Sequence, residues 1–505
     1  MPGVWTVHRL TWPYDADGYR DIAAAQAIRD GRWTDPFYKD EAAWYSPAVP
    51  AIVAATAAIV DAPVSRTFVV LGPWLNALAP IGFYLCALRL TGALPALAAV
   101  TAYLFLPGRA PAWAAATFSP WLFPAISAHT LFYLGVMVCV ALQDRLHAGK
   151  AALAGAIVGV GVLWHPASAL TLAGVLLATH VPRVWSPAPH GYLTLRLLLV
   201  LGVVAGLTSA PAWVPIAWRY GFHTLNRAPA VWVYEAVQPW ALLEAFVRPS
   251  ALVISTVAAV GVWQLWRHGD RRAAGVVLAW VGVAGGFFVY MLAAERTPAL
   301  PPLVSAYHFY FQLVAAKWLL FGVGLVSLGG ALLAFIARAD RRVQAWPPAA
   351  VVVVPILLCV AVYPRYLRRE AFTHARALAE QASTATQTNA AREWIRRYAP
   401  ADAVFLTSDD DALRVVGPAG RRVVCVFQPM SNPYVSYEAR AAARDRMFAA
   451  LARADPAQFR SDARRYGVTH VFLPSSHLIA IAPSLGTWTR VAFANQMHAI
   501  LEVAK

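Results

Sequence analysis

The chain has 505 residues, of which 59% are hydrophobic and 13% charged, with 20 Trp and a formal net charge of +16. A mean hydropathy of +0.52 is too high for a set of soluble domains, so the sequence reads as an integral membrane protein, and the positive charge calls for a membrane explanation rather than a nucleic-acid partner. Cys86, Cys139 and Cys359 fall in apolar runs and Cys425 in a strand-like run, a spacing that gives neither a metal-ligand set nor a disulfide framework.

The chain opens on an acidic, aromatic stretch, residues 12–37, holding Asp15, Asp17 and Asp21 ahead of Gly31, with Asp40 and Glu41 following just before Trp44, Tyr45, Ser46 and Pro47. Periodicity over 18–30 sets Tyr19, Ile22, Ala23, Gln26 and Ala27 on one face and Arg20, Asp21, Ala24 and Ala25 on the other, which predicts an amphipathic helix lying at the membrane surface. Asp15 or Asp17 stands at the start of that helix, where the free N–H groups and the dipole favour a carboxylate, so a helix cap is one reading of either residue.

Residues 46–60 are apolar but broken by Pro47 and Pro50, and at about 15 residues they fall short of the ~20 that a crossing needs, so they are placed at the interface. Spans are expected over 67–88, 93–107, 119–142, 151–181, 197–217, 249–266, 272–293, 312–337 and 347–363. The run 151–181 is too long for one crossing and is divided at Trp164, His165 and Pro166, because proline removes a backbone donor and disfavours helix at the residue before it. His165 either lines a cavity at that break or satisfies carbonyls that Pro166 frees.

With residues 1–66 outside, the ten crossings put eleven Lys and Arg on inside loops against five outside, which supports that orientation and places the C-terminal region outside too. Among the outer segments, 219–248 mixes aromatics with charges of both signs, including Glu235. That composition suits either sugar binding or an interfacial belt of Trp and Tyr. The segment 294–317 supplies Arg296, His308 and Lys317 near the outer face, a depth at which cationic side chains can meet phosphate groups. Taken singly, each is also what a snorkelling or interfacial side chain looks like.

From 365 onward no apolar run is long enough to cross, and the sequence predicts a soluble α/β domain. Strands are expected at 403–407, 422–427 and 469–473, helices at 438–453 and 456–466, and a closing hairpin near the end. Asp409, Asp410 and Asp411 read as a solvated turn after a strand rather than a metal site, and Asn432, Pro433 and Tyr434 as a turn whose aromatic could contact substrate. Three domains follow: an extracytoplasmic first loop (1–66), a transmembrane helical domain (67–364) and the soluble domain (365–505).

Asp15, Tyr19, a helix ending at Gly31, Asp35-Pro36-Phe37 and Tyr45-Ser46-Pro47 together resemble the first extracytoplasmic loop of the GT-C glycosyltransferases, of the protein mannosyltransferase and aminoarabinose transferase type. The resemblance implies a polytopic α-helical fold with a C-terminal extracytoplasmic α/β domain in a bacterial inner or plasma membrane. It further implies transfer of a sugar, with inversion, from a polyprenyl-phosphate donor to a glycan, lipid or protein acceptor. Asp15 matches the carboxylate that acts as catalytic base or orients the acceptor. Asp17, Glu41, Tyr45, His165 and Glu235 are then candidates for substrate binding, and Arg296, His308 and Lys317 for the donor phosphate. Many members carry a further acid in the loop matched by residues 107–120, which has none here. A divalent metal is therefore not favoured and no cofactor is expected. The family places a span ahead of the acidic loop, so a helix upstream of Met1 is expected, or else export of the first loop by the span that follows it. An oligosaccharide or polymer transferase would use the same loop. The alternative from another class is a non-catalytic transporter or assembly scaffold for lipid-linked glycans.

Overall fold

The computed structural model describes residues 2–13, 15–106, 120–187, 189–231, 244, 246–339, 350–481 and 488–504. Glu235 and most of the 107–120 stretch lie outside these residues. Among the described residues, six helices are long and apolar enough to cross a membrane: Val64–Thr91, Pro124–Asp144, Pro166–Trp185, His190–Tyr220, Arg271–Arg296 and Tyr307–Arg338. Four further runs read as spans are helical too: Ala93–Phe105, Ala148–Trp164, Pro249–His268 and the first turns of Ala350–Tyr398. The chain divides into two units, one of residues 1–6, 72–211 and 233–372, the other of 7–71, 212–232 and 373–505.

The first unit is a helical bundle whose core is aromatic and small at once. Trp280 is fully buried, with Phe132 edge-on at 4.9 Å, and Phe83 stacks on Tyr103 at 4.3 Å. Where helices Pro249–His268 and Tyr307–Ala339 meet, a side chain on Gly261 would collide with the Leu320 carbonyl and one on Gly324 with the Val257 carbonyl. Backbones approach this closely only where no Cβ intervenes, the usual device for packing helices that gain no hydrophobic energy from meeting in lipid.

The second unit is built on a five-stranded sheet of β1 (Val404–Leu406), β2 (Arg422–Val423), β3 (Val468–Pro474), β4 (Thr489–Ala494) and β5 (His498–Val503), in the order β2-β1-β3-β5-β4. β2, β1 and β3 run parallel, and β5 and β4 form the antiparallel closing hairpin. The two-residue period of a strand divides the side chains between two cores. Val404, Leu406, Val471, Leu473 and Leu501 pack with Met447, Leu451 and Phe459 of helices Tyr437–Ala452 and Pro456–Tyr466. Phe405, Phe472 and Ile500 face the other way, into a core that includes Tyr19, Ala23, Phe37 and Ile395.

One expectation is corrected here. The helix over 18–30 is Ala16–Arg29, and it does not float on a membrane surface with a polar face outward. Arg20, Asp21 and Ala25 are buried along with Tyr19, Ile22, Ala23, Gln26 and Ala27, because one side packs on the sheet core and another on helix Ala48–Ile59. The aspartate run 409–411 follows β1 as a helical turn capped by Ser408, with none of the three residues buried. Asp409 pairs with Arg444 and accepts from Tyr437 at 3.0 Å, and Asp410 pairs with Arg414 at 2.7 Å.

Candidate functional site

Asp15 is the N-cap of helix Ala16–Arg29, and its Oδ1 accepts from the Asp17 N–H at 2.8 Å. The cap fixes a half-buried carboxylate at the positive end of a helix. Trp12 and Pro13 on one side of Asp15 and Tyr19 on the other line a cavity of about 450 Å³ that continues over Arg392, Asp410, Asp411, Arg414 and His498. Trp12 stacks on Tyr19 at 5.7 Å, and the Arg392 guanidinium lies 3.7 Å from the Trp12 ring centroid. Arg392 donates to neutral acceptors, the Arg414 carbonyl and Asn389, and burial lowers it to about 10. His498 is 9% exposed; its Nε2 bonds Thr388 at 3.0 Å and its Nδ1 has no partner among the described residues. Aromatic faces beside planar charged groups are what a sugar ring and its hydroxyls require.

Deeper in the same unit, Arg20 gathers three of the loop's residues. It pairs with Asp17 at 3.3 Å and Asp21 at 3.1 Å and lies over the Tyr45 ring at 3.8 Å. Burial alone would lower the Arg20 guanidinium, but Tyr45, Asp21 and Asp17 hold it above its ordinary value. Burial raises Asp21 to about 6 against the pull of Arg20. Asp35 accepts from the N–H groups of Phe37 and Tyr38 at 2.8 and 3.0 Å and from Asn432 at 2.9 Å, and burial brings it too to about 6. Glu41 accepts from the Tyr220 hydroxyl at 3.0 Å and pairs with Arg440 at 3.4 Å.

In the helical unit, His165 is the extended residue between Ala148–Trp164 and Pro166–His180, with its N–H on the Gly161 carbonyl at 2.7 Å. Its ring lies 4.5 Å from that of His308. One turn along each helix, Gln312 donates to Ser168 at 3.2 Å. Lys317 is 8% exposed, its ammonium 4.7 Å from the Phe246 ring and 4.8 Å from that of Trp318. Arg296 ends its helix, exposed.

No protein-family model matches the chain, and no curated protein matches it. Solved structures do. ArnT from Cupriavidus metallidurans bound to undecaprenyl phosphate aligns at a TM-score of 0.59 with 15% identity, over 99% of this chain and 96% of that one. Its apo state aligns at 0.57 with 13% identity, over 99% and 95%. The archaeal oligosaccharyltransferase AglB from Archaeoglobus fulgidus, in complex with an inhibitory peptide and a dolichol-phosphate, aligns at 0.50 with 14% identity, over 92% and 66%.

The chain shares its fold with ArnT. It is accordingly a polytopic α-helical membrane protein with a small C-terminal sheet. Within that fold, the residues singled out from the sequence separate by unit. Asp15, Asp17, Glu41 and Tyr45 belong to the sheet-bearing unit, and His165, Arg296, His308 and Lys317 to the helical one. Asp17 and Tyr45 meet at Arg20, and His165 meets His308. Ser168 and Gln312 were not anticipated, although polar residues one turn from each histidine in otherwise apolar helices were a readable signal. Trp12, Arg392 and His498 could not be joined from the sequence, since they come from a loop, a helix and a strand each more than a hundred residues from the next.

Proposed function

We infer that this chain is an integral membrane glycosyltransferase that takes its sugar from a polyprenyl-phosphate donor. The reading rests on likeness of fold along 99% of the chain to ArnT, which in that structure holds undecaprenyl phosphate. Asp15 is assigned as general base. As the acceptor oxygen attacks the anomeric carbon, its proton passes to Asp15, the bond from that carbon to the phosphate oxygen breaks, and polyprenyl phosphate leaves with inversion at carbon. Arg296, His308 and Lys317 are assigned to the donor phosphate, with His165 beside His308. The acceptor is a glycan, lipid or protein hydroxyl. Asp15 and the C-terminal sheet are assigned to the outer side of a bacterial inner or plasma membrane, an orientation that the distribution of Lys and Arg supports.

Asp15→Asn is a clean test because Asn caps a helix about as well as Asp. General-base help contributes on the order of 10² to 10⁴ in rate. The purified variant should therefore keep its melting temperature and its binding of donor, while consumption of radiolabelled polyprenyl-phosphate sugar falls by that factor. Wild-type turnover in a folded Asp15→Asn protein would remove Asp15 from the mechanism. No donor consumption by the wild type across a panel of polyprenyl-phosphate sugars would remove the reaction.

A further inference from the structure

A second cavity in the sheet-bearing unit, of about 580 Å³, has no part in the reaction above. It lies among the turn at Lys39, the first turns of helix Tyr437–Ala452 and the end of helix Pro456–Tyr466. Four cations line it, Lys39, Arg440, Arg464 and Arg465, together with two carboxylates, Asp40 and Glu41.

The charges do not cancel locally. Arg440 is satisfied by Glu41 at 3.4 Å and lies over the Tyr38 ring at 4.0 Å. Among the described residues no carboxylate stands within ion-pair distance of Lys39, Arg464 or Arg465. One ordinary explanation is that these three complement the carbonyl end of helix Pro456–Tyr466. Arg464 and Arg465 sit in its last turn, and the Lys39 ammonium reaches its capping residue Gly467, where an added Cβ would stand 3.3 Å away. A helix end carries only about half a unit of negative charge, however, which three cations exceed. The opposite wall adds the positive end of helix Tyr437–Ala452, capped by Ser436, which also lines the cavity. Tyr434, stacked on Tyr220 at 5.1 Å, and Tyr466, with Arg465 5.5 Å from its ring, give the same space aromatic walls.

We propose that this cavity binds the phosphate of a phosphorylated saccharide or of a lipid headgroup, with Lys39, Arg464 and Arg465 around the anion and the tyrosines against the attached group. Cations that outnumber the carboxylates beside them are stabilised by a bound anion. The assignment is independent of the transferase reading, since neither Asp15 nor the donor lipid enters it.

The test uses the full chain in detergent and in nanodiscs, titrated with glucose 6-phosphate and with glucose, alongside the variant Lys39→Gln/Arg465→Gln. Glucose 6-phosphate should bind saturably, more weakly as salt rises, and glucose should not bind. The variant should melt where the wild type does and bind glucose 6-phosphate at least tenfold more weakly. Nanodiscs of phosphatidylglycerol distinguish the source. Loss of sugar-phosphate affinity there, but not in phosphatidylcholine nanodiscs, identifies a lipid headgroup as occupant, and unchanged affinity identifies a soluble or glycan phosphate. Absence of binding by the wild type in detergent, or equal binding by the variant, overturns the proposal.

Discussion

At the scale of single residues, the most informative feature is a carboxylate that periodicity sends to the wrong side. Asp21 is 0% exposed, shares one oxygen with Arg20 and has no partner for Oδ2 among the described residues. Its folded value of about 6 lies above the ordinary 3.8, so between those values the folded protein binds a proton that the unfolded chain releases. The associated stability is complete below about pH 4 and is lost as pH rises through 6. A carboxyl displaced this far corresponds to about 3 kcal/mol between its protonation states. Wild-type stability relative to Asp21→Asn should therefore fall by about that amount between pH 4 and pH 7. Thermal unfolding of both proteins across that range measures it, and parallel profiles would show that Arg20 keeps Asp21 ionised throughout. The sequence could not place this residue, because a helix with sheet behind it and another helix in front has no solvent face for a period to mark.

At the scale of elements, what was legible followed local rules. The break at His165 and Pro166, the strands around 404 and 469, the helices 437–452 and 456–466 and the terminal hairpin lie close to where the sequence puts them, whereas the strand expected over 422–427 is paired only at Arg422–Val423. The partners of each element were not legible. Gly261 and Gly324 look like any other glycines in an apolar helix, yet each lies under a carbonyl of the other's helix. Gly324→Val should force Pro249–His268 and Tyr307–Ala339 apart, at the 1–3 kcal/mol typical of overpacking or more, since the obstacle is backbone and cannot rotate away. Gly330, with nothing within 4 Å of an added Cβ, is the control on the same helix. Gly330→Ala should melt with the wild type while Gly324→Val melts several degrees lower, and equal melting would mean the two helices are not in register at Gly261. The cap at Asp15 belongs to the same scale: Asp15→Ala should cost about 1 kcal/mol of stability where Asp15→Asn costs almost nothing.

At the scale of the whole molecule, the sequence shows a polar tail after a series of apolar runs, and a boundary near 365 is where composition changes. The structure groups residues differently, taking 7–71 and 212–232 together with 373–505, because the acidic loop closes one face of the C-terminal sheet. The Phe37 carbonyl accepts from the Val423 N–H at 2.7 Å, and Asp35 accepts from the Asn432 side chain at 2.9 Å. Such pairings cross nearly 400 positions and leave no periodic trace. They also make sidedness one question rather than two, since a first loop hydrogen-bonded to the C-terminal sheet must lie on the same side of the membrane. The orientation proposed above, from the Lys and Arg count, puts that side outside. Cys86, Cys139 and Cys425 are all buried, so with Cys359 replaced by Ser an introduced surface cysteine can report against a low background. Arg460→Cys, exposed on helix Pro456–Tyr466, should react with a membrane-impermeant maleimide in intact cells. Arg145→Cys, exposed after helix Pro124–Asp144, should react only after permeabilisation. The reverse pattern would put Asp15 and the phosphate-binding cavity inside and remove the assigned orientation, while leaving the fold untouched.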